Sequence, residues 1–304
     1  MDKRLLFYVS GRYLCFSICN MVHLENEILK VRINPIGAEL VSLVNKQTGI
    51  DYMWKGDPAF WGKHSPVLFP IVGTLKKHAY FFEGKEYHLP RHGFAREKEF
   101  AVSEDGCCFT ITSDDSTKSI FPFSFSLNLR YTLEENTLKL TYEVKNTGNS
   151  DMYFSLGAHP AFAVPVTGVY QGHYLEFEKP EKADRWPITA DGLISSKSET
   201  FLEEQTHLPL HKSLFERDAI VLKGLKSERI SIKSSHHKHG LDFHFKGYPF
   251  FGIWAAKDAD FVCLEPWCGI ADSELHNQDL TQKEGINKLA AGESFSRSWS
   301  VAVY

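Results

Sequence analysis

Residues 123–144 read FSFSLNLRYTLEENTLKLTYEV, and they contain two runs in which every second residue is apolar. The first run covers residues 123–133 and the second covers 138–144, with a short polar link between them. A period of two is typical of strands with one buried face, and such a link between two runs is typical of a hairpin. We therefore predict an antiparallel β-hairpin here. Residues 146–149, NTGN, supply the turn chemistry that ends its second strand.

Similar apolar runs recur along the chain, and helical periodicity is scarce. We predict further strands at residues 27–33, 241–245, 250–255, 260–264 and 294–303, a hairpin turn at 83–85, and single helical turns at 58–62 and 201–207. Sustained strands without intervening helices indicate an all-β protein, a large sandwich or barrel of antiparallel strands with a few short helical turns. No Pro-rich or Gly/Ser-rich linker divides the chain.

The composition is that of an ordinary globular protein. Of the 304 residues, 43% are hydrophobic and 24% are charged, which argues against disorder, collagen and coiled coil. The net charge of -4 lacks the basic surplus of a nucleic-acid binder, so we expect no nucleic-acid partner. The 23 Phe, 12 Tyr and 6 Trp favour strands over helices.

Residues 1–20 differ in pattern from the rest of the chain. Their apolar run is interrupted by Gly11 and Arg12, and no small-residue cleavage site follows. A secretory signal needs an unbroken apolar stretch of about 7–15 residues, and a membrane helix needs about 20. We expect residues 1–20 to be a non-structural N-terminal extension ahead of Met21, residues 21–304 to form a single domain, and no membrane partner. A degenerate export signal is the alternative.

The six cysteines are expected to be reduced thiols in a cytoplasmic protein. They are Cys15, Cys19, Cys107, Cys108, Cys263 and Cys268. A chain of this size needs no disulfides for stability, and no C-x-x-C motif is present.

The segment LPRHGFAR, residues 89–96, is the first of three that place a titratable group among Gly, Pro or aromatic residues. Gly93 allows a positive φ or a close approach to a ligand. Arg91 and Arg96 would lower the pKa of His92 and favour the neutral imidazole, which still donates one hydrogen bond. The alternative is a surface loop with a solvated histidine.

The second segment is SLGAHPAF, residues 155–162. Pro160 pushes His159 towards extended geometry, and the small residues before it leave space beside the ring. A histidine held in this way suits a directed proton donor. The alternative is a buried histidine bonded to a backbone carbonyl.

The third segment is FVCLEPWCG, residues 261–269. An apolar strand leads directly into Glu265, where a buried carboxylate is costly unless it is used or paired. We expect Pro266 to break the strand ladder and Trp267 to supply an apolar platform. Glu265 is then a candidate general base, and a structural ion pair with an arginine of residues 91–96 is the alternative.

Other features carry weaker signals. The polar stretch with His236, His237 and His239 is more typical of a solvated turn than of a metal site, which needs converging ligands. Trp54 and Trp61 can stack on a ligand, although packing in a core or at an edge is the commoner use. Motifs for nucleotide binding, serine hydrolases and zincins are absent from the sequence.

Taken together, these segments resemble the aldose 1-epimerase (galactose mutarotase-like) superfamily, and most closely its LacX-type branch, which is related to the hexose-6-phosphate mutarotases. The resemblance covers residues 22–304. It is carried by IGAEL at 36–40, FPIVG at 69–73, LPRHGFAR at 89–96, GAHPAF at 157–162 and LEPWCG at 264–269.

The resemblance implies a β-supersandwich with an active site in a concave cleft of the sheet. His159 would be the general acid and Glu265 the general base, and His92 would stabilise charge developing on the ring oxygen of the sugar. No metal or organic cofactor would be needed. The implied substrate-binding residues are Asp218, Arg91, Arg96, Thr74 and Trp267.

Thr74 is a departure from the resemblance. The family usually has an arginine after FPIVG, and threonine cannot offer a charged, forked donor. Either Lys76, Lys77 or Arg91 compensates, or the sugar specificity has changed, or activity is weakened.

Four hypotheses about function remain open at this point, and the sequence does not fix an oligomeric state. The first is anomer interconversion of a free hexose such as galactose or glucose. The second is the same reaction on a hexose phosphate, whose phosphate needs cations such as Lys76, Lys77, Arg91 and Arg96. The third is a carbohydrate-binding or regulatory domain without turnover. The fourth is a metal enzyme that uses the cluster at residues 236–239.

Overall fold

The computed structural model describes residues 6–9, 12–15 and 21–304. The strands are β1 (Leu6–Val9), β2 (Arg12–Cys15), β3 (Val22–Glu25), β4 (Leu29–Asn34), β5 (Glu39–Asn45), β6 (Val67–Leu68), β7 (Ala79–Phe82), β8 (Lys85–His88), β9 (Ala101–Val102), β10 (Cys108–Thr112), β11 (Phe125–Glu134), β12 (Thr137–Asn146), β13 (Met152–Phe154), β14 (Leu156–Ala158), β15 (Ala161–Ala163), β16 (His173–Arg185), β17 (Glu199–Pro209), β18 (Ile220–Lys223), β19 (Arg229–Ser234), β20 (Leu241–His244), β21 (Phe250–Trp254), β22 (Phe261–Cys268), β23 (Asn287–Leu289) and β24 (Ser294–Val303). One α-helical turn, α1 (Asp115–Lys118), and four 3-10 turns complete the elements: Lys76–His78, Ala95–Glu97, Lys212–Phe215 and Leu280–Gln282.

The predicted hairpin is present as β11 and β12. The two strands pair antiparallel from Phe125 opposite Asn146 to Glu134 opposite Thr137. Buried and less buried residues alternate along both strands. The alternation follows from the sequence, because a one-residue slip would turn every apolar side chain to the wrong face.

Fifteen strands form one large, continuous sheet. Its order is β6-β14-β22-β21-β18-β16-β19-β20-β24-β12-β11-β10-β9, with β15 also paired to β22 and β17 also paired to β16. All pairs of named strands in the described part of the chain are antiparallel. The all-β architecture of antiparallel strands with a few short helical turns, expected from the sequence, is confirmed.

Large aromatic side chains fill the core, and the polar tips of two of the largest, Trp299 and Tyr131, are hydrogen-bonded. The Trp299 Nε1–H donates to the Tyr142 hydroxyl at 3.1 Å, and the Tyr131 hydroxyl donates to the Ala38 carbonyl at 2.8 Å. A buried hydroxyl or indole N–H without a partner costs free energy, so these bonds remove a penalty that the aromatic burial would otherwise carry.

Most of the other predicted elements are confirmed, and one is wrong. The strand at 294–303 and the turn between β7 and β8 are where the sequence predicted them. One turn near residue 58 is closed by the Trp61 N–H donating to the Asp57 carbonyl. The helical turn expected at 201–207 is instead part of β17, because pairing with β16 outweighs the weak local preference of this segment.

The N-terminal segment contains a short hairpin in which β1 pairs with β2. The rest of residues 1–20 lies outside the described residues, so the expected extension and the single domain over 21–304 stay predictions. No helix in the described part of the chain is long and apolar enough to cross a membrane.

Candidate active site

Glu265 and His159 lie opposite each other on neighbouring segments of the sheet. The pairing of β22 with β14 ends at Gly157, and its pairing with β15 begins at Ala161. Continuing this register through the gap places His159 opposite Glu265, at cross-strand neighbour distance. The His159 Nε2 atom lies 3.3 Å from the Glu265 Oε2 atom, and both side chains are buried. The two groups that the sequence named as acid and base therefore form one pair.

The expectation that Pro266 breaks the ladder is wrong, because β22 continues through it to Cys268. The Leu264 N–H donates to the Pro160 carbonyl, so by alternation the nitrogen of Pro266 also faces the short β14–β15 edge. Pairing with β21 is retained, with Phe251 opposite Pro266. Proline is tolerated in a strand where its nitrogen faces away from the main partner strand.

Burial determines the charge state of this pair. It raises the pKa of Glu265 well above its usual value, although the nearby positive charge of Arg91 acts in the opposite direction. Burial, together with the smaller effects of Arg91 and Arg96, lowers the pKa of His159 to about 3. Desolvation penalises the ionised carboxylate and the imidazolium alike. The pair is therefore most stable with a single shared proton and no net charge.

His92 enters the same cleft from the loop after β8. Its backbone N–H donates to the Gly73 carbonyl at 2.9 Å, and its Nδ1 accepts from the Gly73 N–H at 3.1 Å. This reciprocal pairing holds His92 at a positive φ of 68°, which is unusual for a residue other than glycine.

The surroundings of His92 favour the neutral ring. Burial lowers its pKa well below the usual value, and the neighbouring His159, Arg91 and Arg96 lower it further. The Arg91 Nε–H donates to His92 Nε2 at 3.3 Å, which holds the guanidinium against the ring at the wall of the cleft.

Two tryptophans position the ring of His159. Trp61 stacks on it with ring centroids 4.9 Å apart, and Trp254 meets it edge-on at 5.6 Å. The sequence named Trp61 only as a weak candidate, and Trp254 was predicted only as part of an apolar strand. Trp254 lies opposite Cys263 in the β21–β22 register, but nothing in the sequence tells which strand neighbours β22.

Trp267 lies on the same face of β22 as Glu265, and two glycines make room for it. A Cβ atom at Gly252 would lie 2.5 Å from Trp267 Cζ2, and one at Gly157 would lie 2.7 Å from its Cδ1. A larger residue at either position would clash with the indole, which occupies that space. The indole forms the apolar platform that the sequence predicted.

These side chains line a cleft of about 500 Å³, a size typical of small-molecule sites. Asp218, Arg91 and Arg96 also line it. The Arg96 Nη2–H donates to the Arg91 carbonyl at 3.0 Å, which braces the loop that carries His92. Asp218 adopts a positive φ of 72° at the rim, just before β18.

Thr74 is the one predicted site residue that does not line this cleft. It is buried against the backbone of Gly192 and lines an adjoining cavity together with Lys76, Lys77 and His78. Arg91 and Asp218 border both spaces. Position 74 therefore contributes to the wall between the two cavities.

Asp272 supports the segment that carries Thr74, and sequence reasoning missed it. The Asp272 N–H donates to the Thr74 carbonyl, and the carboxylate accepts from the Lys76 N–H at 2.9 Å. The carboxylate also lies 2.6 Å from the buried Lys283 ammonium. The backbone between the two cavities is thus fixed by a buried ion pair.

The histidines at 236–239 lie elsewhere, near a second surface cavity. His237 and His239 line it, and the His237 Nε2 atom is 3.1 Å from the Thr167 carbonyl. Within residues 21–304, the one group of His, Cys, Asp or Glu side chains with ligand atoms mutually within 4.8 Å is His159, Cys263 and Glu265. The structure does not bring residues 236–239 together as such a group.

Comparison with known proteins identifies the family of the chain. The family model described as aldose 1-epimerase matches residues 20–299. The chain belongs to the aldose 1-epimerase family. The plasmid-encoded protein LacX of Lactococcus lactis subsp. lactis is 31% identical over 299 residues, covering 93% of this chain and 99% of that protein. The chromosomally encoded LacX is 32% identical over 302 residues, with the same coverage.

Solved structures of family members superpose on nearly the whole chain. A galactose mutarotase related enzyme from Lactobacillus acidophilus has a TM-score of 0.88 at 32% identity, covering 93% of this chain and 97% of that one. A galactose mutarotase-like protein from Lactobacillus casei has a TM-score of 0.88 at 31% identity, covering 94% and 100%. The resemblance to the LacX-type branch of the aldose 1-epimerases is confirmed, and these relatives support a mutarotase-type function.

Proposed function

We propose that this aldose 1-epimerase family member is an isomerase that interconverts the α and β anomers of a hexose by general acid and base catalysis. The observation that carries the proposal is the His159–Glu265 pair, 3.3 Å apart and buried at the base of a cleft of sugar size. One carboxylate and one imidazole are what the two proton transfers of this reaction require.

The pair would cycle through one shared proton. With the proton on His159, the Glu265 carboxylate removes the proton of the anomeric hydroxyl, and its O–H electrons form the C1 carbonyl. The C1–O5 bond breaks, and O5 takes the proton from His159. After rotation about C1–C2, O5 attacks the other face of the carbonyl and both protons return. The pair holds one proton throughout, so its net charge never changes.

This constancy of charge explains why the site is buried. Each state with one proton on the pair avoids the desolvation penalty that a net charge would incur. Transfer of the proton from Glu265 to His159 creates the active base and acid without bringing a proton from solvent. A sugar hydroxyl that donates to the Glu265 carboxylate would favour this transfer, since hydrogen bonds stabilise the charged form.

Arg91 and His92 would stabilise the opened sugar. Arg91 lines the cleft beside His92, and its positive charge suits an oxygen that gains negative charge when the C1–O5 bond breaks. Trp267 would hold the apolar face of the sugar ring, and Asp218 would accept from its hydroxyl groups. Arg96 would act mainly by bracing the Arg91 backbone.

A hexose phosphate is the second candidate substrate, and the adjoining cavity favours it. Lys76, Lys77 and His78 line that cavity, which shares Arg91 and Asp218 with the cleft. A sugar in the cleft can therefore place a phosphate among cations, the environment that phosphates prefer. In this arrangement the lysines take over the role of an arginine at position 74.

The test is anomer exchange followed by NMR on freshly dissolved α-galactose, α-glucose and α-glucose 6-phosphate. We expect wild type to accelerate exchange, and Glu265→Gln and His159→Asn to lose about 10²–10⁴-fold of the rate. A preference for the phosphate ester that Lys76→Met or Lys77→Met abolishes would identify the second candidate. Binding of a sugar without acceleration would instead identify a carbohydrate-binding domain.

A cytoplasmic location is part of the proposal. The four cysteines whose side chains are described are all free, which is the usual state in a reducing compartment.

A further inference from the structure

Cys263 is a buried nucleophilic group next to the catalytic pair that the proposed reaction does not use. It precedes Glu265 by two residues on β22, so both side chains point to the same face of the sheet. Its Sγ atom, a ring nitrogen of His159 and a carboxylate oxygen of Glu265 all lie within 4.8 Å of one another. The thiol is fully buried and does not line the cleft, whereas the other two groups do.

The spacing of His159 and Glu265 matches one edge of a tetrahedral zinc site, and Cys263 lies close to both. Zinc binds histidine nitrogen and carboxylate oxygen at about 2.0–2.2 Å, which places two such ligands about 3.3–3.5 Å apart at a tetrahedral angle. The observed distance from His159 Nε2 to Glu265 Oε2 is 3.3 Å. The Cys263 Sγ atom lies within 4.8 Å of both other ligand atoms, near enough to be the third ligand of an ion that binds thiolate at about 2.3 Å.

The donor set also fits the chemistry of zinc. One thiolate, one imidazole and one carboxylate form a borderline-soft set, which favours Zn²⁺ over Mg²⁺ or Ca²⁺. Three protein ligands leave a fourth position open. Because His159 and Glu265 line the cleft and Cys263 lies behind them, that position would face the space proposed for the sugar.

The surroundings indicate a reversible site. Metal-bound histidines almost always donate their other ring N–H to a partner, which fixes the ring and strengthens the ligand. The Nδ1 atom of His159 is buried and has no hydrogen-bond partner in the part of the chain that the structure describes. The ring is held by its contact with Glu265 and by packing against Trp61, Trp254 and His92.

We propose that Zn²⁺, or another divalent ion that accepts a thiolate, binds reversibly to His159, Cys263 and Glu265 and inhibits the enzyme by occupying its acid–base pair. The inhibition rests on the proposed function, whereas the binding does not. Binding would release the thiol proton and the proton shared by the pair, so that all three ligands coordinate in their deprotonated forms. Sugar and metal would exclude each other.

Direct binding is tested with Co²⁺ as a spectroscopic substitute for zinc, in the presence of a phosphine reductant that does not compete as a thiol does. We expect wild type to develop the charge-transfer absorption of a cobalt–thiolate bond, and Zn²⁺ to displace it. Cys263→Ser should lose the band. Cys268→Ser is the matched control, because Cys268 is a buried cysteine of the same strand outside the group, and it should retain the band.

Inhibition is tested by titrating Zn²⁺ into the anomer-exchange assay, with each variant compared with its own metal-free rate. Wild type and Cys268→Ser should be inhibited competitively with sugar. In Cys263→Ser the inhibition constant should rise by at least about 10-fold, as expected for a disrupted metal site. If Cys263→Ser does not fold, Cys263→Ala and the loss of the wild-type cobalt band on adding saturating sugar provide the same test.

The outcomes separate this proposal from the proposed function. A cobalt–thiolate band in a protein without turnover would leave the metal site standing and remove the epimerase activity. An active enzyme with no band and no inhibition would overturn the metal site. Inhibition that persists in Cys263→Ser would place the ion elsewhere, and acceleration by Zn²⁺ would contradict an inhibitory role.

Discussion

Replacing Asp272 by asparagine should destabilise the protein while leaving the acid–base pair in place. Asp272 and Lys283 are both buried, and their charged atoms are 2.6 Å apart. Burial alone would raise the pKa of Asp272, but hydrogen bonds from His276, Lys283 and the Lys76 N–H outweigh it and lower the pKa to about 2. The fold therefore stabilises the charged form of this carboxylate.

The magnitude is estimated in two ways, both of which include the ion pair with Lys283. The pKa of Asp272 is lowered from 3.8 to about 2, which corresponds to about 2 kcal/mol of preference for the charged carboxylate. Asparagine resembles the protonated acid and loses this contribution. It also leaves Lys283 buried without a counter-ion, and breaking a buried pair costs about 3–5 kcal/mol. Lys283 can limit the cost by losing its proton, so we expect a loss of about 3 kcal/mol.

The free energy of unfolding should depend on pH differently in wild type and in Asp272→Asn. In wild type, the contribution of Asp272 is present above pH 3.8 and is lost as the pH falls towards 2. Burial lowers the pKa of Lys283, and Asp272 opposes this shift. Without Asp272, the unfolded state binds the Lys283 proton more tightly than the folded state, so the stability of the variant rises with pH below 10.5.

The assay is urea unfolding from pH 6 to pH 9. Asp272→Asn/Lys283→Met should recover part of the loss, because no unpaired charge remains. Asp151→Asn is the matched control, since Asp151 and Lys288 form an exposed pair at 2.8 Å. Exposed pairs contribute little, so this control should unfold like wild type. A loss below about 1 kcal/mol in Asp272→Asn, or no added slope with pH, would refute the reasoning.

Two further predictions concern the active cleft. Gly252→Ala should lower kcat/KM by at least about 10-fold, although alanine is normally harmless in a strand. The reason is that its Cβ would lie 2.5 Å from the Trp267 indole and displace it. An unchanged kcat/KM would show that the indole does not position the substrate. The rate should not fall as the pH drops through 6.5, because the lowered pKa of His159, about 3, prevents a second proton from binding to the pair until strongly acidic pH. A single titration near pH 6.5 in the kcat/KM profile would contradict a shared proton.

The sequence predicts the elements whose cause is local. The hairpin of β11 and β12 follows from a period of two that any half-buried strand must show, and the observed register keeps every apolar residue on one face. The segment 201–207 shows the limit of such reasoning. It joins β17 because β16 lies beside it, and that neighbour is not encoded within seven residues.

The site was predictable residue by residue but not as an arrangement. His92, His159 and Glu265 stood out from their neighbours, and the family resemblance supplied their roles. Tertiary contacts bring them together: Gly73 pairs with His92, and β14 and β15 place His159 beside β22. Asp272 gave no signal because its importance comes from Lys283 and the Thr74 segment, which fold against it.

An interrupted neighbour strand is what makes the acid–base pair. In a continuous sheet, the chain opposite Glu265 would be a regular strand with its backbone committed to the ladder. Here β14 stops at Ala158 and β15 starts at Ala161, so His159 keeps the cross-strand position while its backbone is released. Pro160 and Pro266 both lie at this break, where a missing N–H removes few ladder bonds. The two prolines therefore mark the place where ladder hydrogen bonds between β22 and its neighbour are missing and where the His159–Glu265 pair forms.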